Sequence, residues 1–383
     1  MGQDPIKQFN KLENIKPADT DIYKKILSRW DSVAKPLGSL GRFEDIVARI
    51  GAVLKTEEID IRKRAVLVMC ADNGIVSEGV SQSGQDVTAA VSGWMGRNES
   101  SVCRLAAEAK SDVIPVDIGI NTEGTPKGVI DKKIRRGTAD FLKEPAMTAE
   151  ELEQAIETGI ELVRDLKEKG YTILATGEMG IGNTTTSAAV CAVLTGLPVD
   201  RVTGRGAGLD DEGLIRKREV VSQALDKYGF SSLNSKSRNG NIENNSNKTR
   251  EYTMEVLRTV GGLDIAGLTG VYIGGALYNI PVVIDGYISA VAALAADRIL
   301  PGTRDIMIAS HMGREAGMGP VLDELGVSPV IDADLALGEG TGAVMIFPLL
   351  DMVLKLYKEG LRFDETEVAR YEKFDHAGSR AHK

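Results

Sequence analysis

The chain has 383 residues, a formal net charge of -9 and a sequence pI of about 5.2. This acidic balance argues against broad nucleic-acid binding. The three cysteines form no CxxC pair and are too few for a disulfide framework, and the opening MGQDPIKQFN contains no apolar run typical of a signal peptide. We therefore expect a cytoplasmic protein with one large domain and a smaller one.

Helix-forming segments stand at both ends of the chain. Residues 19–35 and 41–56 are rich in helix formers, and residues 347–360 have the same character near the other end. We expect these ends to pair into a small helical domain beside an α/β domain. The predicted boundaries are residues 1–60 and 346–383 for the two parts of the helical domain and residues 61–345 for the α/β domain.

Short apolar runs recur between these ends, and each stops at a polar or glycine-rich turn. They span residues 65–74, 112–119, 171–180, 281–286, 305–313 and 329–340. Segments with helical periodicity, such as 151–170 and 212–229, lie between them. Continuous apolar strands that alternate with amphipathic helices predict an α/β fold with a parallel, Rossmann-like sheet flanked by helices.

Two further segments need separate interpretation. Residues 265–284 carry no charge over a membrane-spanning length, but Asn279 and Pro281 interrupt them. A buried helix, a turn and a buried strand explain this segment better than a membrane span. Residues 231–251 are polar with little to bury, so we expect a surface excursion there.

The ends of the predicted strands indicate where a ligand would bind, because parallel α/β sheets bind ligands beyond the carboxyl ends of their strands. The polar residues at these ends are Asp72, Asp117, Glu178, Asp285, His311, Asp332 and Glu339. We therefore expect a cleft lined with carboxylates and glycines. A lone histidine is more often structural than catalytic, so we assign His311 no catalytic role.

The turn after the third apolar run has the most specific composition. Residues 177–186 have the sequence GEMGIGNTTT. A glycine-rich turn between a strand and a helix holds phosphate with backbone N–H groups and the helix N-terminus. The carboxylate of Glu178 would repel phosphate, which indicates a separate task for it. The structural alternative is that Asn183 and Thr184 only cap the next helix.

Several motifs occur together along nearly the whole chain. They are KPLGSLGRFE (35–44), EGVS and QDVT (78–88), RRGTADF and AM (135–147), GEMGIGNTTTSAA (177–189), GRGAGLDDEGLIRK (204–217), GGLDIAGLTG (261–270), PVVIDGYIS (281–289) and LGEGTGA (337–343). In this order and spacing they resemble the nicotinate-nucleotide:dimethylbenzimidazole phosphoribosyltransferase family, which activates the lower ligand of cobamides, the vitamin B12 class. The resemblance implies transfer of the phosphoribosyl group of nicotinate mononucleotide to an aromatic base, with an α-ribotide phosphate as product.

The resemblance also implies roles for single residues. Glu339 matches the general base, and Glu178 matches the carboxylate that faces the incoming aromatic base. The residues implied to hold the phosphate and the rest of the nucleotide are Gly180, Ile181, Gly182, Asn183, Thr184, Thr185, Gly204, Arg205, Lys217, Asp285, Gly286, Gly313 and Gly338. The structural alternatives are a solvent-exposed turn for Glu339 and a solvated helix position for Lys217. Asp264 is interpreted as a structural hydrogen-bonding residue.

The chain departs from the family pattern around the acceptor base. The implied acceptor pocket comprises Ser81, Gln82, Ser83, Ala90, Met179, Ala336 and Leu337. Relatives usually carry an aromatic residue and a proline where this chain has Ser83 and Gly84. They usually carry a glutamine at the position of Ala90 and an arginine at that of Ala336, and their common SHxSxE becomes SHMGRE, with Gly313. Another benzimidazole, a purine or a phenol would fit this altered pocket.

The sequence leaves one other class of function open and disfavours another. A non-catalytic partner subunit of an active paralogue would bind nicotinate mononucleotide without turnover. A dinucleotide dehydrogenase is disfavoured, because the first strand ends in ADNG (71–74) and no GxGxxG follows it. The histidines and cysteines show no metal-ligand spacing, so we expect no metal and no cofactor. The resemblance further implies a homodimer, or a heterodimer with a paralogue.

Overall fold

The computed structural model describes residue 15 and residues 17–231 and 246–372. Most of the predicted surface excursion, residues 232–245, lies outside this described part. The last six residues of that excursion, 246–251, are helical. The chain divides into two compact units. The described residues of one are 15, 17, 60–231 and 246–347, and those of the other are 18–59 and 348–372.

The strands and helices are numbered here in chain order. The strands are β1 (Arg64–Ala71), β2 (Asp112–Gly119), β3 (Ile130–Asp131), β4 (Ile173–Met179), β5 (Val282–Ile284), β6 (Met307–Ala309), β7 (His311–Gly313) and β8 (Ile331–Leu335). The helices are α1 (Thr20–Ser32), α2 (Arg42–Leu54), α3 (Asp86–Gly96), α4 (Ser101–Glu108), α5 (Ala149–Glu168), α6 (Asn183–Thr195), α7 (Val199–Val202), α8 (Asp211–Lys227), α9 (Ser246–Val260), α10 (Leu263–Tyr278), α11 (Tyr287–Ile299), α12 (Met318–Leu325) and α13 (Thr341–Glu359). Short 3-10 helices span Gly74–Glu78, Thr303–Ile306 and Phe363–Glu365.

The smaller unit is helical and is built from both ends of the chain. Its first helix, α1, begins where the Asp19 carboxylate accepts hydrogen bonds from backbone N–H groups of the first turn. Apolar residues at i and i+4 bury Ile26 and Trp30 on one face of α1. Trp30 packs against Tyr357 of α13 with ring centroids 5.1 Å apart.

The larger unit contains a six-stranded parallel sheet with the strand order β3-β2-β1-β4-β5-β6. Helices α3 and α10 pack against it, and all eight residues of β1 are buried, as expected for a central parallel strand. The predicted fold class is confirmed. The chain runs from β1 to β2 and β3 on one side and through β4, β5 and β6 on the other. The strand order therefore reverses between β1 and β4, which is where open α/β sheets bind ligands.

One part of the predicted sheet is different in the structure. The apolar run 305–313 forms two strands, and β7 pairs in parallel with β8 as a separate two-stranded sheet. The residues from Asp332 to Asp334 in the middle of β8 are exposed. Strands inside a parallel sheet are buried on both faces, and the exposed Asp332 and Asp334 are compatible with the position of β8 outside that sheet.

The uncharged segment 265–284 forms the buried helix, turn and strand that its sequence predicts. Helix α10 is buried from Leu263 to Ala276, and β5 follows it. Glycines let α10 lie very close to α5, since a methyl group at Gly159 would overlap the carbonyl oxygen of Gly267. No helix within the described ranges has both the length and the apolar character needed to cross a membrane.

Candidate active site

A cleft of about 300 Å³ opens beyond the carboxyl ends of β4 and β5, beside the point where the strand order reverses. Fifteen of the residues named from the sequence line it. They are Ser83, Glu178, Met179, Gly180, Ile181, Asn183, Thr184, Asp285, Gly286, His311, Gly313, Ala336, Leu337, Gly338 and Glu339. The cleft is thus lined by carboxylates and glycines, as the strand ends predict.

A smaller cavity of about 60 Å³ shares the glycine-rich turn with this cleft. The predicted residues that it adds are Ser81, Gln82, Gly182 and Arg205. The Gln82 amide donates a hydrogen bond to the carbonyl of Gly208, and Arg205 bonds to Asp211 and to the Leu209 carbonyl. The turn from Gly180 to Thr184 therefore lines both the cleft and the smaller cavity.

Several residues named from the sequence do not line the cleft. Thr185 is buried within α6, Ala90 is exposed on α3, and Gly204 lies against the side chain of Glu315. Lys217 also lies outside the cleft, where its ammonium group contacts the Thr184 hydroxyl. The remaining strand-end residues outside the cleft are Asp72, Asp117 and Asp332, of which Asp72 and Asp117 are buried and Asp332 is exposed.

The turn that carries Glu339 lies directly on the end of β4. A methyl group at Gly177 would be 2.6 Å from the carbonyl oxygen of Glu339, so this position of β4 needs a residue without a side chain. Glu339 itself has a φ of 61°, a left-handed conformation that is uncommon for a residue other than glycine. Such strained positions are frequent at functional sites.

The carboxylate of Glu339 is half-buried and faces the start of α4. It accepts a hydrogen bond from the backbone N–H of Val102 at 3.4 Å. Burial raises the pKa of Glu339, the Val102 N–H opposes that shift, and the nearby Asp285 carboxylate adds to it. A carboxylate with a raised pKa is a better proton acceptor near neutral pH than an exposed one.

Glu178 lies deeper, in a cluster of three polar side chains. The Asn183 amide donates hydrogen bonds to Glu178 and to Asp264, the latter at 3.1 Å. Burial, and then the negative charge of Asp264, raise the pKa of Glu178 to about 8, while burial raises the pKa of Asp264 to about 6. Glu178 therefore holds a proton at neutral pH and can donate a hydrogen bond.

The glycine-rich turn leads into the N-terminus of α6. Gly182 has a φ of 94° and precedes the first helical residue without any side-chain cap. The side chains of Asn183 and Thr184 contact Glu178 and Lys217, so neither caps the helix. The uncapped end of α6 adjoins both cavities, which suits an anion.

Lys217 brings a buried cation to the same turn. Its ammonium group donates a hydrogen bond to the Thr184 hydroxyl at 2.7 Å, and the residue is fully buried. Burial lowers the pKa of Lys217 to about 8, and the Glu315 carboxylate opposes that shift. A methyl group at Gly206 would be 3.3 Å from this ammonium group, so the glycine leaves room around it.

Asp285 ties the end of β5 to the start of α13. Its carboxylate accepts hydrogen bonds from the backbone N–H groups of Gly340 at 3.2 Å and Ala343 at 2.9 Å. Burial raises the pKa of Asp285, and the neighbouring His311 opposes the shift. Asp285 therefore holds the turn of Glu339 in place and also adds a carboxyl group to the cleft.

Comparison with known proteins identifies the group to which this fold and cleft belong. The phosphoribosyltransferase family profile matches residues 15–368. The chain is 41% identical over 362 residues to the nicotinate-nucleotide–dimethylbenzimidazole phosphoribosyltransferase of Clostridium acetobutylicum, covering 94% of this chain and 98% of that protein. This chain belongs to that phosphoribosyltransferase family.

Further members of the family give similar values. The enzyme of the same name from Acetivibrio thermocellus is 40% identical over 364 residues, covering 95% of this chain and 99% of that protein. The crystal structure of CobT from Thermus thermophilus superposes with a TM-score of 0.81 at 36% identity, covering 92% of this chain and 100% of that one. The resemblance seen in the motifs is confirmed.

The structure adds cleft residues to which the motifs assigned no role. Val87 and Val91 of α3 form an apolar wall of the cleft, and Arg314 and Glu315 follow β7 at its rim. The spacing of the two valines at i and i+4 on one helix was a usable signal for a shared face. Arg314 had none, because nothing in the sequence shows that β7 leaves the main sheet.

Proposed function

We propose that this protein transfers the phosphoribosyl group of nicotinate mononucleotide to an aromatic base, as a lower-ligand activation step of cobamide synthesis. The observation that carries the proposal is the placement of Glu178 and Glu339 in one cleft with the glycine-rich turn. Two carboxyl groups in different surroundings and an anion site are the parts that this reaction requires.

The nucleotide would bind with its phosphate at the turn from Gly180 to Thr184. The N-terminus of α6 and the ammonium group of Lys217 supply positive charge there. Transfer at an anomeric carbon passes through a cation-like sugar, which nearby carboxylates stabilise. Asp285, which lines the cleft, is the carboxylate that we assign to this task.

Glu339 would act as the general base. A nitrogen or oxygen atom of the acceptor forms a bond to C1′ as the bond between C1′ and nicotinate breaks, and nicotinate leaves with the bonding electrons. The acceptor loses a proton to the Glu339 carboxylate, from the attacking oxygen of a phenol or from the other ring nitrogen of a benzimidazole. Attack from the face opposite to nicotinate gives the α-ribotide phosphate. Glu178, protonated at neutral pH, would orient the acceptor by donating a hydrogen bond to it.

The acceptor would be a flat aromatic molecule with few polar groups. Val87, Val91 and Met179 supply apolar lining to the cleft, and apolar walls with a few placed polar groups are typical of small-molecule sites. The names of the relatives favour dimethylbenzimidazole. A phenol is the second candidate, because it has only one ionisable proton, on the attacking oxygen, and so needs no side-chain amide to orient it.

The experiment is a product assay by mass spectrometry. Purified protein is incubated with nicotinate mononucleotide and, separately, with dimethylbenzimidazole, adenine, phenol or p-cresol. Any ribotide phosphate supports the proposal, and its mass identifies the acceptor class. Binding of the nucleotide without product from any of these acceptors would favour a non-catalytic partner subunit. Light scattering of the same sample would decide whether the chain forms the dimer that we also propose.

A further inference from the structure

His311 is a buried residue of the cleft to which the proposed reaction assigns no task. Only 4% of its surface is exposed, yet it lines the cleft. Its neighbour Ser310 is fully buried. The hydrogen bonds around these two residues determine which nitrogen of the imidazole ring carries the proton.

The Ser310 hydroxyl donates its hydrogen bond to the backbone carbonyl of Ile284 at 2.6 Å. A carbonyl oxygen only accepts, so the single hydroxyl proton is committed to this contact. The same hydroxyl oxygen lies 2.9 Å from Nδ1 of His311, and this second contact needs a proton on the nitrogen. Nδ1 of His311 is therefore the protonated ring nitrogen and donates to Ser310.

The other ring nitrogen, Nε2, is then an acceptor. Burial lowers the pKa of His311, and the Asp285 carboxylate opposes that shift, so the neutral ring is favoured near pH 7. Among the residues that the structure describes, none donates a hydrogen bond to Nε2. A neutral imidazole with Nδ1 protonated presents a lone pair at this position.

The Nε2 atom faces the ligand space of the cleft. A methyl group at Gly313 would be 3.7 Å from Nε2 and one at Gly286 would be 3.9 Å away, and both glycines line the cleft. Because neither glycine has a side chain, nothing from these two positions covers the nitrogen. On the opposite side of the ring, a methyl group at Gly342 would overlap the imidazole, so the ring cannot turn away easily.

We infer that His311 binds a sugar hydroxyl of the nucleotide: its Nε2 accepts a hydrogen bond from the ribosyl 2′- or 3′-hydroxyl. The inference rests on the proposed function, since it takes nicotinate mononucleotide as the ligand. The phosphate and the nicotinate carboxylate are ionised at neutral pH and have no proton to donate. The proton of the acceptor base goes to Glu339, which leaves the ribosyl hydroxyls as the donors.

The test compares two substitutions that each keep one half of the imidazole. The amide of His311→Asn can replace Nδ1 and bond to Ser310, but it does not reach the position of Nε2. The longer amide of His311→Gln places an oxygen acceptor at the position of Nε2. Calorimetry with the full chain measures binding of nicotinate mononucleotide and of its 2′-deoxy and 3′-deoxy forms, without any acceptor base.

We expect wild type and His311→Gln to bind nicotinate mononucleotide about fivefold to tenfold more tightly than one of the deoxy forms. His311→Asn should lose about the same factor in affinity for the nucleotide, and its preference over that deoxy form should disappear. The KM for the acceptor base should stay unchanged, which a general loss of structure would not allow.

Two results would overturn the inference. The first would leave the proposed function intact, and the second would remove the proposed function as well. If wild type binds nicotinate mononucleotide but binds both deoxy forms equally well, His311 contacts no hydroxyl while the proposed function stands. This arm needs no variant, so it holds even if a substitution impairs folding. If wild type binds no nicotinate mononucleotide at all, the proposed function fails and the inference fails with it.

Discussion

At the residue scale, Glu178 and Glu339 are carboxyl groups of one cleft in different surroundings. Burial raises the pKa of Glu178, and the negative charges of Asp264 and Asp285 add to this shift. Glu339 is less buried and accepts a hydrogen bond from the backbone of α4. Pairs of titratable groups with different environments are how enzymes divide acid and base roles near neutral pH. The protonation state of Glu178 can be tested apart from catalysis.

Glu178→Gln should change how stability depends on pH. The unfolded glutamate titrates near 4.5 and the folded one at about 8, so between these values the folded state binds a proton that the unfolded state lacks. Raising the pH through this window therefore lowers the free energy of unfolding of wild type, by up to about 1.4 kcal/mol per pH unit. Glu178→Gln lacks this contribution, so its stability relative to wild type should increase from pH 5 to pH 8. Urea unfolding at each pH measures the free energy of unfolding of both proteins. Parallel curves of this free energy against pH would contradict a raised pKa of Glu178.

Lys217→Met should separate binding from stability. Burying a lone charge costs free energy, so the methionine variant should be at least as stable as wild type. Its affinity for nicotinate mononucleotide should fall about tenfold, because the positive charge that lies behind Thr184, next to the proposed phosphate turn, is lost. Wild-type affinity should also decline above pH 8, where the ammonium group with its pKa of about 8 loses its proton, and the variant should show no such decline. Calorimetry from pH 7 to 9 measures this.

A matched control for Lys217 is available on the surface. Lys127 is exposed, whereas Lys217 is buried and bonded to Thr184, so Lys127→Met should leave both affinity and its pH dependence unchanged. Equal losses in the two variants would show that general charge, and not the position of Lys217, attracts the nucleotide.

At the element scale, the close approach of α5 and α10 depends on glycines. A methyl group at Gly159 would overlap a backbone carbonyl of α10, so Gly159→Ala should lower the free energy of unfolding by about 1–3 kcal/mol in spite of the better helix propensity of alanine. Gly319 of α12 has open space around it, and Gly319→Ala should be neutral or stabilising by up to about 1 kcal/mol. Denaturant unfolding of the two variants checks this. Equal changes in the free energy of unfolding of the two variants would mean that helix propensity, and not packing, determines the effect of alanine at these positions.

A strand or helix could be predicted from the sequence where a single sequence pattern was enough to identify it. Seven of the eight buried residues of β1, Ala65 to Ala71, form a continuous apolar run, and the uncharged stretch 265–284 is interrupted at Asn279 and Pro281, which disfavours a membrane span. The separation of β6 from β7 was not predictable, because the run 305–313 is apolar across Ser310. Only the structure shows that Ser310 bonds to the end of β5 and that β7 continues into another sheet.

At the scale of the whole molecule, the parallel topology brings distant parts of the chain to one edge. The rule that ligands bind at the carboxyl ends of strands predicts from the sequence alone that Glu178, Asp285 and Glu339 share a cleft. The same rule also names Asp72 and Asp332, which lie outside the cleft. The sequence could not distinguish these cases, since Asp332 lies in the middle of β8 in the separate two-stranded sheet and the Asp72 carboxylate accepts a hydrogen bond from the backbone N–H of Asn121.

The contacts that tune the site were also beyond the sequence. The Val102 N–H that bonds to Glu339 comes from a helix start far away in the chain, and the amide of Asn183 joins Glu178 to Asp264 across two elements. The full burial of Lys217 was unexpected as well, because α8 is otherwise rich in charged residues. Such details depend on three-dimensional packing, and a pattern along the chain does not carry them.

The most direct test of the proposed transfer is acceptor-dependent release of nicotinate by wild type and Glu339→Gln. Wild type should release one nicotinate for each ribotide formed. Glu339→Gln should be about 10² to 10⁴ times slower, because a general base is lost, with its affinity for nicotinate mononucleotide unchanged. Glu123→Gln, at an exposed position outside the cleft, is the control and should behave as wild type. Equal rates in wild type and Glu339→Gln, or tight nucleotide binding by wild type with no release for any acceptor, would contradict the account.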